Sequence, residues 1–184
     1  MNKLSAILIA MLVVSAQCNW ADQSPFCFAP QIFPVTLKTT PATIDVQRYM
    51  GTWYEIARMP APFQKECRCS DAHYQFNAEG KFVNVHNTCL KTDGKLIEVK
   101  GKAYPQNNQN SKLNVYFNAI PGAYWILDIA DDYSWAVVGE PCKKFGWLLS
   151  RTKTLPVQLV QSKVDVFRAK GYDISKLVYR DSSC

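Results

Sequence analysis

Between Thr52 and Arg151 the chain repeats one pattern, short runs of aromatic and β-branched residues, each ended by a turn signal. That repetition limits the fold more than any single motif. The runs predict strands at 52–59, 71–77, 81–90, 95–104, 111–118, 123–130, 134–140 and 145–151. Ala78-Glu-Gly80 and Thr92-Asp-Gly94 read as tight hairpin turns, and 105–111 as a polar loop. The longer connection 60–66, with Pro60, Pro62 and Phe63, is placed to act as a lid. Eight strands joined by short loops favour an antiparallel meander, and closing it into a barrel removes its exposed edges.

After the last run the period changes. Val160, Val164 and Phe167 stand at i, i+4 and i+7, Pro156 suits a first helical turn, and Gly171 supplies the stop. Such a helix buries one stripe against the outside of the barrel. Leu177-Val-Tyr179 reads as a short final strand. The expected fold class is therefore all-β: an eight-stranded antiparallel up-and-down β-barrel with one C-terminal α-helix packed outside.

The N-terminus reads as targeting. Lys3, the apolar run Leu4 to Val14 and the small-residue site Val14-Ser-Ala16 make residues 1–16 a signal peptide. The run is too short for a comfortable membrane span. Residues 17–40 are Pro-rich and irregular, and 41–184 form the barrel domain with its helix and tail. The expected location is secreted or otherwise extracytoplasmic, extracellular or periplasmic. A lipid-anchored outer-membrane form needs Cys18 acylated, and the Gln17 before it is not the small residue that motif requires.

The formal charge of +6 is scattered, with no long basic block, which argues against nucleic acid and allows weak association with anionic membrane surfaces. Setting Cys18 aside leaves Cys27, Cys67, Cys69, Cys89, Cys142 and Cys184, an even set behind a signal peptide and so a disulfide framework. Cys67-Arg-Cys69 is poor zinc spacing with no second pair, so no metal is expected. Neither His73 nor His86 has a Ser or Asp partner by spacing, and no Gly-rich phosphate loop is present. No catalytic residue and no cofactor are assigned.

Strand parity organises the rest. Trp147, Leu149 and Arg151 share one face, as do Trp53, Glu55 and Ala57. Closing the barrel pairs the first strand with the eighth, so Trp53 and Arg151 meet at one end, a stacking worth roughly 0.5–2 kcal/mol. Gly51 lets the backbone bend sharply into the first strand. The 131–133 loop, with Asp132 and Tyr133, falls at the same end.

Gly51-Thr-Trp53, Asp131-Asp132-Tyr133 and Trp147-Leu-Leu-Ser-Arg151 together resemble the three signature regions of the lipocalin family, in order and approximate spacing. Asp131 stands where the family usually has Thr. Tyr49-Met-Gly-Thr-Trp-Tyr-Glu-Ile-Ala-Arg58 is most similar to the branch containing apolipoprotein D and the bacterial Blc type. The resemblance implies the same barrel, with Gly51, Trp53, Asp132, Tyr133 and Arg151 as structural residues of a closed floor. It implies bridges Cys69–Cys184, Cys27–Cys142 and Cys67–Cys89. The hairpin register leaves an alternative, with Cys69 opposite Cys89 and Cys67 free for Cys184.

The open end would carry Phe63, Ile120, Tyr124 and Trp125. Deeper in, Tyr74 and Trp147 match pocket-lining aromatics of that branch. A hairpin centred on Glu79 sets Tyr74 opposite Asn84 and Phe76 opposite Phe82, with His86 on the same face. Leu113, Val115 and Phe117 form another lumen stripe. The alternative is a filled core without a cavity. Glu55, Tyr74 and His86 would hold a polar head group, or Glu55 is simply paired with Arg58.

The expected function is to bind and transport a small hydrophobic ligand, whether fatty acid, lysophospholipid, sterol or pigment, as a monomer or weak dimer and not as an enzyme. The alternatives are a lipid-modifying enzyme on the same barrel and a membrane-anchored lipoprotein handling envelope lipids.

Overall fold

The computed structural model describes residues 37–117, 119 and 121–184. The signal segment, most of 17–40, Cys27 and Ile120 lie outside them. Eight strands follow in chain order: β1 Gly51–Arg58, β2 Cys67–Asn77, β3 Phe82–Lys91, β4 Leu96–Pro105, β5 Lys112–Tyr116, β6 Pro121–Ile129, β7 Trp135–Gly139 and β8 Gly146–Ser150. Each pairs antiparallel with the next, and β1 pairs with both β2 and β8, which closes the barrel. A two-residue strand, β9 (Val178–Tyr179), adds to the outer end of β1 at Ala57 and Arg58. Among the described residues the α-helices are a single turn, α1 (Val46–Tyr49), and α2 (Val157–Ala169). The eight-stranded barrel with its flanking helix is the fold that the run pattern predicts.

Two apolar clusters result. The inner one gathers Trp53, Tyr74, Val83, Val85, Ile126, Val138 and Leu149 from the inward faces of the strands. The outer one lies under α2, where fully buried Phe167, with Val160 beside it, meets the sheet face that carries Ala57, Val137 and Leu148. Residues i, i+4 and i+7 lie on one helical stripe, which is why this helix docks rather than standing free. Gly171, at φ +85°, ends it in the left-handed conformation that glycine adopts without steric cost.

The floor is built around Arg151. Its guanidinium lies 3.8 Å from the centroid of the Trp53 ring. Its N–H groups donate to the backbone carbonyls of Thr52 (2.8 Å), Arg48 (2.8 Å) and Tyr133 (3.4 Å). Trp53 donates its indole N–H to the Tyr49 carbonyl at 2.9 Å, and the Tyr133 hydroxyl accepts the Asp45 N–H at 2.8 Å. Asp132 caps its own loop through Ser134 N–H. Gly51 has φ +92°, and a Cβ there would come within 3.5 Å of an Arg151 nitrogen. That distance is an ordinary van der Waals contact, so the glycine is needed for the bend rather than for room.

Two parity expectations are corrected. The β2–β3 turn is not a three-residue link. It spans residues 78–81, with Lys81 at φ +50°, and pairs Asn77 with Phe82. The register therefore sets Tyr74 opposite Val85 and Phe76 opposite Val83. One extra turn residue flips the whole strand, so Val83, Val85 and Asn87 face inward while Phe82, Asn84 and His86 face out. In β1 a bulge between Glu55 and Ala57 breaks the alternation. Ala57 leaves the Trp53–Glu55 face for the cluster under α2, and Arg58 turns inward beside Glu55.

A second bulge, between Cys67 and Cys69, puts Ser70 opposite Cys89. The bridges are Cys67–Cys89 and Cys69–Cys184, which overturns the alternative pairing. Cys142 is also disulfide-bonded; its expected partner, Cys27, lies outside the described residues.

Arg151→Ala removes the stacking and three charge-assisted hydrogen bonds together. The expected loss of stability in urea unfolding is about 2–4 kcal/mol. Arg151→Lys should recover less than half of it, since an ammonium lacks the planar fork. Unchanged unfolding of the alanine variant would show that the floor does not depend on this residue.

Candidate functional site

Above the floor the barrel is hollow. The cavity measures about 840 Å³ and opens at the end where β1 leads to β2 and β7 leads to β8. Its walls are mainly apolar, with Ala72, Val83, Val85, Val99, Ala103, Leu113, Val115, Ile126 and Leu149 among the lining residues. The filled-core alternative is therefore excluded. A volume of several hundred cubic ångströms with few polar groups is the usual form of a small-molecule site.

The mouth is organised by a buried polar network. Glu55 and Arg58 pair at 3.0 Å, as the duller reading of Glu55 anticipates. The other Glu55 oxygen accepts from the Gln64 side-chain amide at 2.8 Å, and Gln64 Oε1 accepts the Trp147 indole N–H at 3.0 Å. Arg58 also donates to the carbonyls of Gln64 (2.9 Å) and Cys67 (3.1 Å). The turn Pro62–Gln64 is thus tied to the wall through one glutamine and one arginine. Exposed Phe63 lies 5.5 Å from Phe145, whose ring stacks towards Trp147. Phe145 is held in turn by Glu140, a 2 % exposed carboxylate that accepts backbone N–H groups of Cys142 and Phe145. Directly after this turn, the Cys67–Cys89 bridge also borders the opening.

Of the sequence-predicted ligand residues, Glu55, Phe63, Tyr74, Val115, Phe117, Tyr124 and Trp147 line this cavity. The structure does not bring the others to it. Phe76 is on the inner face but packs into the core cluster beyond the open space. Phe82 packs on Tyr104 outside the barrel with Lys102 over its ring. Asn84 borders a shallow outer depression with Lys100 and Lys102. His86 pairs with Glu98 on the outer face at 3.2 Å. Trp125 follows Tyr124 directly and so faces the opposite side, where Lys112 lies 4.2 Å over its ring. Tyr124 was expected at the mouth; its hydroxyl instead meets those of Tyr49 and Tyr74.

Sequence reasoning missed Tyr49, Met50, Gln64, Asn87 and Phe145, all of them lining residues. Tyr49 lies two residues before Gly51, at the head of the Tyr49–Arg58 segment, and its i, i+4 spacing to Trp53 is the signal that could have found it. Gln64 carried no signal, because its side-chain partners Glu55, Ser70 and Trp147 come from separate strands and meet it only in the folded barrel.

Burial pushes the Glu55 carboxyl above its usual 4.5, and the Arg58 charge and the Gln64 amide only partly oppose this. Between 4.5 and that raised value the folded protein holds a proton that the unfolded chain lacks. The stability contributed by this group rises as pH falls through that window, by at most about 1.4 kcal/mol per pH unit. Glu55→Gln cannot titrate. The unfolding free energy of the wild type minus that of the variant should therefore increase between pH 7 and pH 4.5. A flat difference across urea titrations in that range would contradict this account.

Comparison with known proteins agrees with the geometry. The profile of a lipocalin-like domain matches residues 44–182. Temperature-induced lipocalin-1 of Arabidopsis thaliana is 36% identical over 145 residues, covering 73% of this chain and 77% of the plant protein. Mouse apolipoprotein D is 35% identical over 150 residues, covering 76% and 77% of the two chains. The outer membrane lipoprotein Blc of Vibrio cholerae is 28% identical over 138 residues, covering 73% and 81%. Among solved structures, apocrustacyanin C2 superposes with a TM-score of 0.60 at 26% identity, covering 74% of this chain and 80% of that one. A barrel closed by the Trp53–Arg151 floor, hollow above it and matched by the family profile over residues 44–182, places this chain in the lipocalin family.

Proposed function

We propose that this lipocalin binds a small hydrophobic molecule in the barrel lumen and carries it through an oxidising, extracytoplasmic compartment. The observation that carries the reading is the apolar cavity of about 840 Å³, closed at one end and open at the other. Its mechanism is partition. Hydrocarbon moved from water onto these walls gains roughly 25 cal/mol per Å² buried. Fatty acids, lysophospholipids, sterols and pigments fit that description. The disulfides support the choice of compartment. Closure of the sheet, which leaves β1 and β2 paired with each other, supports a monomeric carrier with no long free edge.

Trp147 connects the wall to the lid turn, so Trp147→Ala removes ring surface and the Gln64 anchor together. A fluorescent fatty acid should bind this variant about tenfold more weakly. Unchanged affinity would remove Trp147 from the binding surface. Extraction of the natively purified protein followed by lipid mass spectrometry should recover an apolar molecule in stoichiometric amount. Recovery of none, with no lipid probe binding, would overturn the carrier reading.

A further inference from the structure

The closed end of the lumen holds a polar cluster that partition of hydrocarbon does not require. Tyr49 precedes β1 in α1, Tyr74 lies on β2 and Tyr124 on β6. All three line the cavity. The hydroxyls of Tyr49 and Tyr124 are 2.8 Å apart, and those of Tyr74 and Tyr124 are 3.3 Å apart. The rings are braced: Tyr49 stacks on Tyr74 at 6.0 Å between centroids, and Tyr124 meets Tyr74 edge-on at 6.2 Å. The cluster sits on the floor, since the Tyr49 ring is 5.0 Å from that of Trp53.

Three hydroxyls bring three donor hydrogens, and the two mutual bonds use two of them. The third has no acceptor among the described residues. Burial pushes the Tyr74 phenol up to about 12 and holds Tyr49 and Tyr124 well above their usual range, so the cluster is uncharged at neutral pH. Among the described residues, the cations lining the cavity are Lys65 and Lys91, and both stand at the mouth. Arg151 is close by, but its N–H groups are committed to backbone carbonyls around Trp53. A carboxylate brought to the tyrosines would lose its water and find no free cation, a large cost. A hydroxyl or ketone oxygen would instead accept the spare O–H at no such cost.

On the reading of the lumen as the ligand site, we propose that the Tyr49–Tyr124–Tyr74 cluster is a subsite for one uncharged oxygen at the buried end of an apolar ligand. The favoured class is a neutral lipid alcohol or ketone, inserted oxygen first. A lipid acid binds the other way round, tail inward, with its carboxylate at the mouth.

The test compares hexadecanol with palmitate, two ligands of equal chain length, by calorimetry on the full chain and on Tyr49→Phe/Tyr74→Phe/Tyr124→Phe. The phenylalanines keep the rings and remove every oxygen of the cluster. The variant should bind hexadecanol about tenfold or more weakly and palmitate within about twofold of the wild type. Retained palmitate binding also reports an intact barrel. The double variant Tyr74→Phe/Tyr124→Phe, which disturbs the floor less, should show the same selectivity in smaller degree. Unchanged hexadecanol binding in both variants, or equal loss of both ligands in both variants, would overturn the subsite while leaving the carrier reading standing. Failure of the wild type to bind either ligand would overturn the carrier reading and the subsite with it.

Discussion

A single guanidinium joins three stretches of chain that are far apart in sequence. Arg151, just after β8, reaches the carbonyls of Arg48 in α1, of Thr52 at the start of β1 and of Tyr133 in the β6–β7 loop. Covering Trp53, it converts an open tube into a cup. A sheet edge can be closed by strand pairing alone, but the end of a barrel has no such ladder to offer. Planar stacking over an indole, with the remaining N–H groups spent on orphan carbonyls, meets both needs in one residue. Everything above it inherits the geometry, because Trp53 fixes Tyr49, and Tyr49 fixes the hydroxyl cluster.

The fold was legible in the sequence to a useful depth. Runs of alternating residues mark strands whatever their tertiary partners, and the Val160, Val164, Phe167 stripe marks a docked helix for the same reason. The lumen was legible only where alternation ran unbroken. Val115, Tyr124 and Trp147 could be placed by counting, although Tyr124 lies deeper than expected. Phe82, Asn84 and His86 could not, because their face depends on whether the turn after Asn77 has three residues or four, and Lys81 in a left-handed conformation is not a turn residue one would choose. Bulges do the same damage more quietly. The one after Glu55 moved Ala57 outward and brought Arg58 in, creating a buried ion pair from two residues that simple parity sets on opposite faces.

Buried charge at the mouth is a notable choice of material. Glu55 and Arg58 are nearly inaccessible, and a pair so placed contributes little net stability against apolar replacements. What it contributes is direction. Gln64 is held by both partners, and the short turn Pro62–Gln64 therefore has one preferred seat against the wall. Trp147 then offers its indole N–H to that same glutamine, so the ring that faces the lumen is oriented by the lid.

The Cys67–Cys89 bridge gives the opening an asymmetry of kinetics. On that side β2 and β3 are joined covalently and cannot part. The Pro62–Gln64 turn, which leads directly into Cys67 on the same side, is held to Glu55, Arg58 and Trp147 by hydrogen bonds, which break and re-form far faster than an uncatalysed disulfide rearranges. The rim thus has a covalent anchor at Cys67 and a hinge in the turn just before it. On the carrier reading, the residence time of a guest follows how often that turn lifts, and substitutions at Gln64 change both this rate and the lining itself.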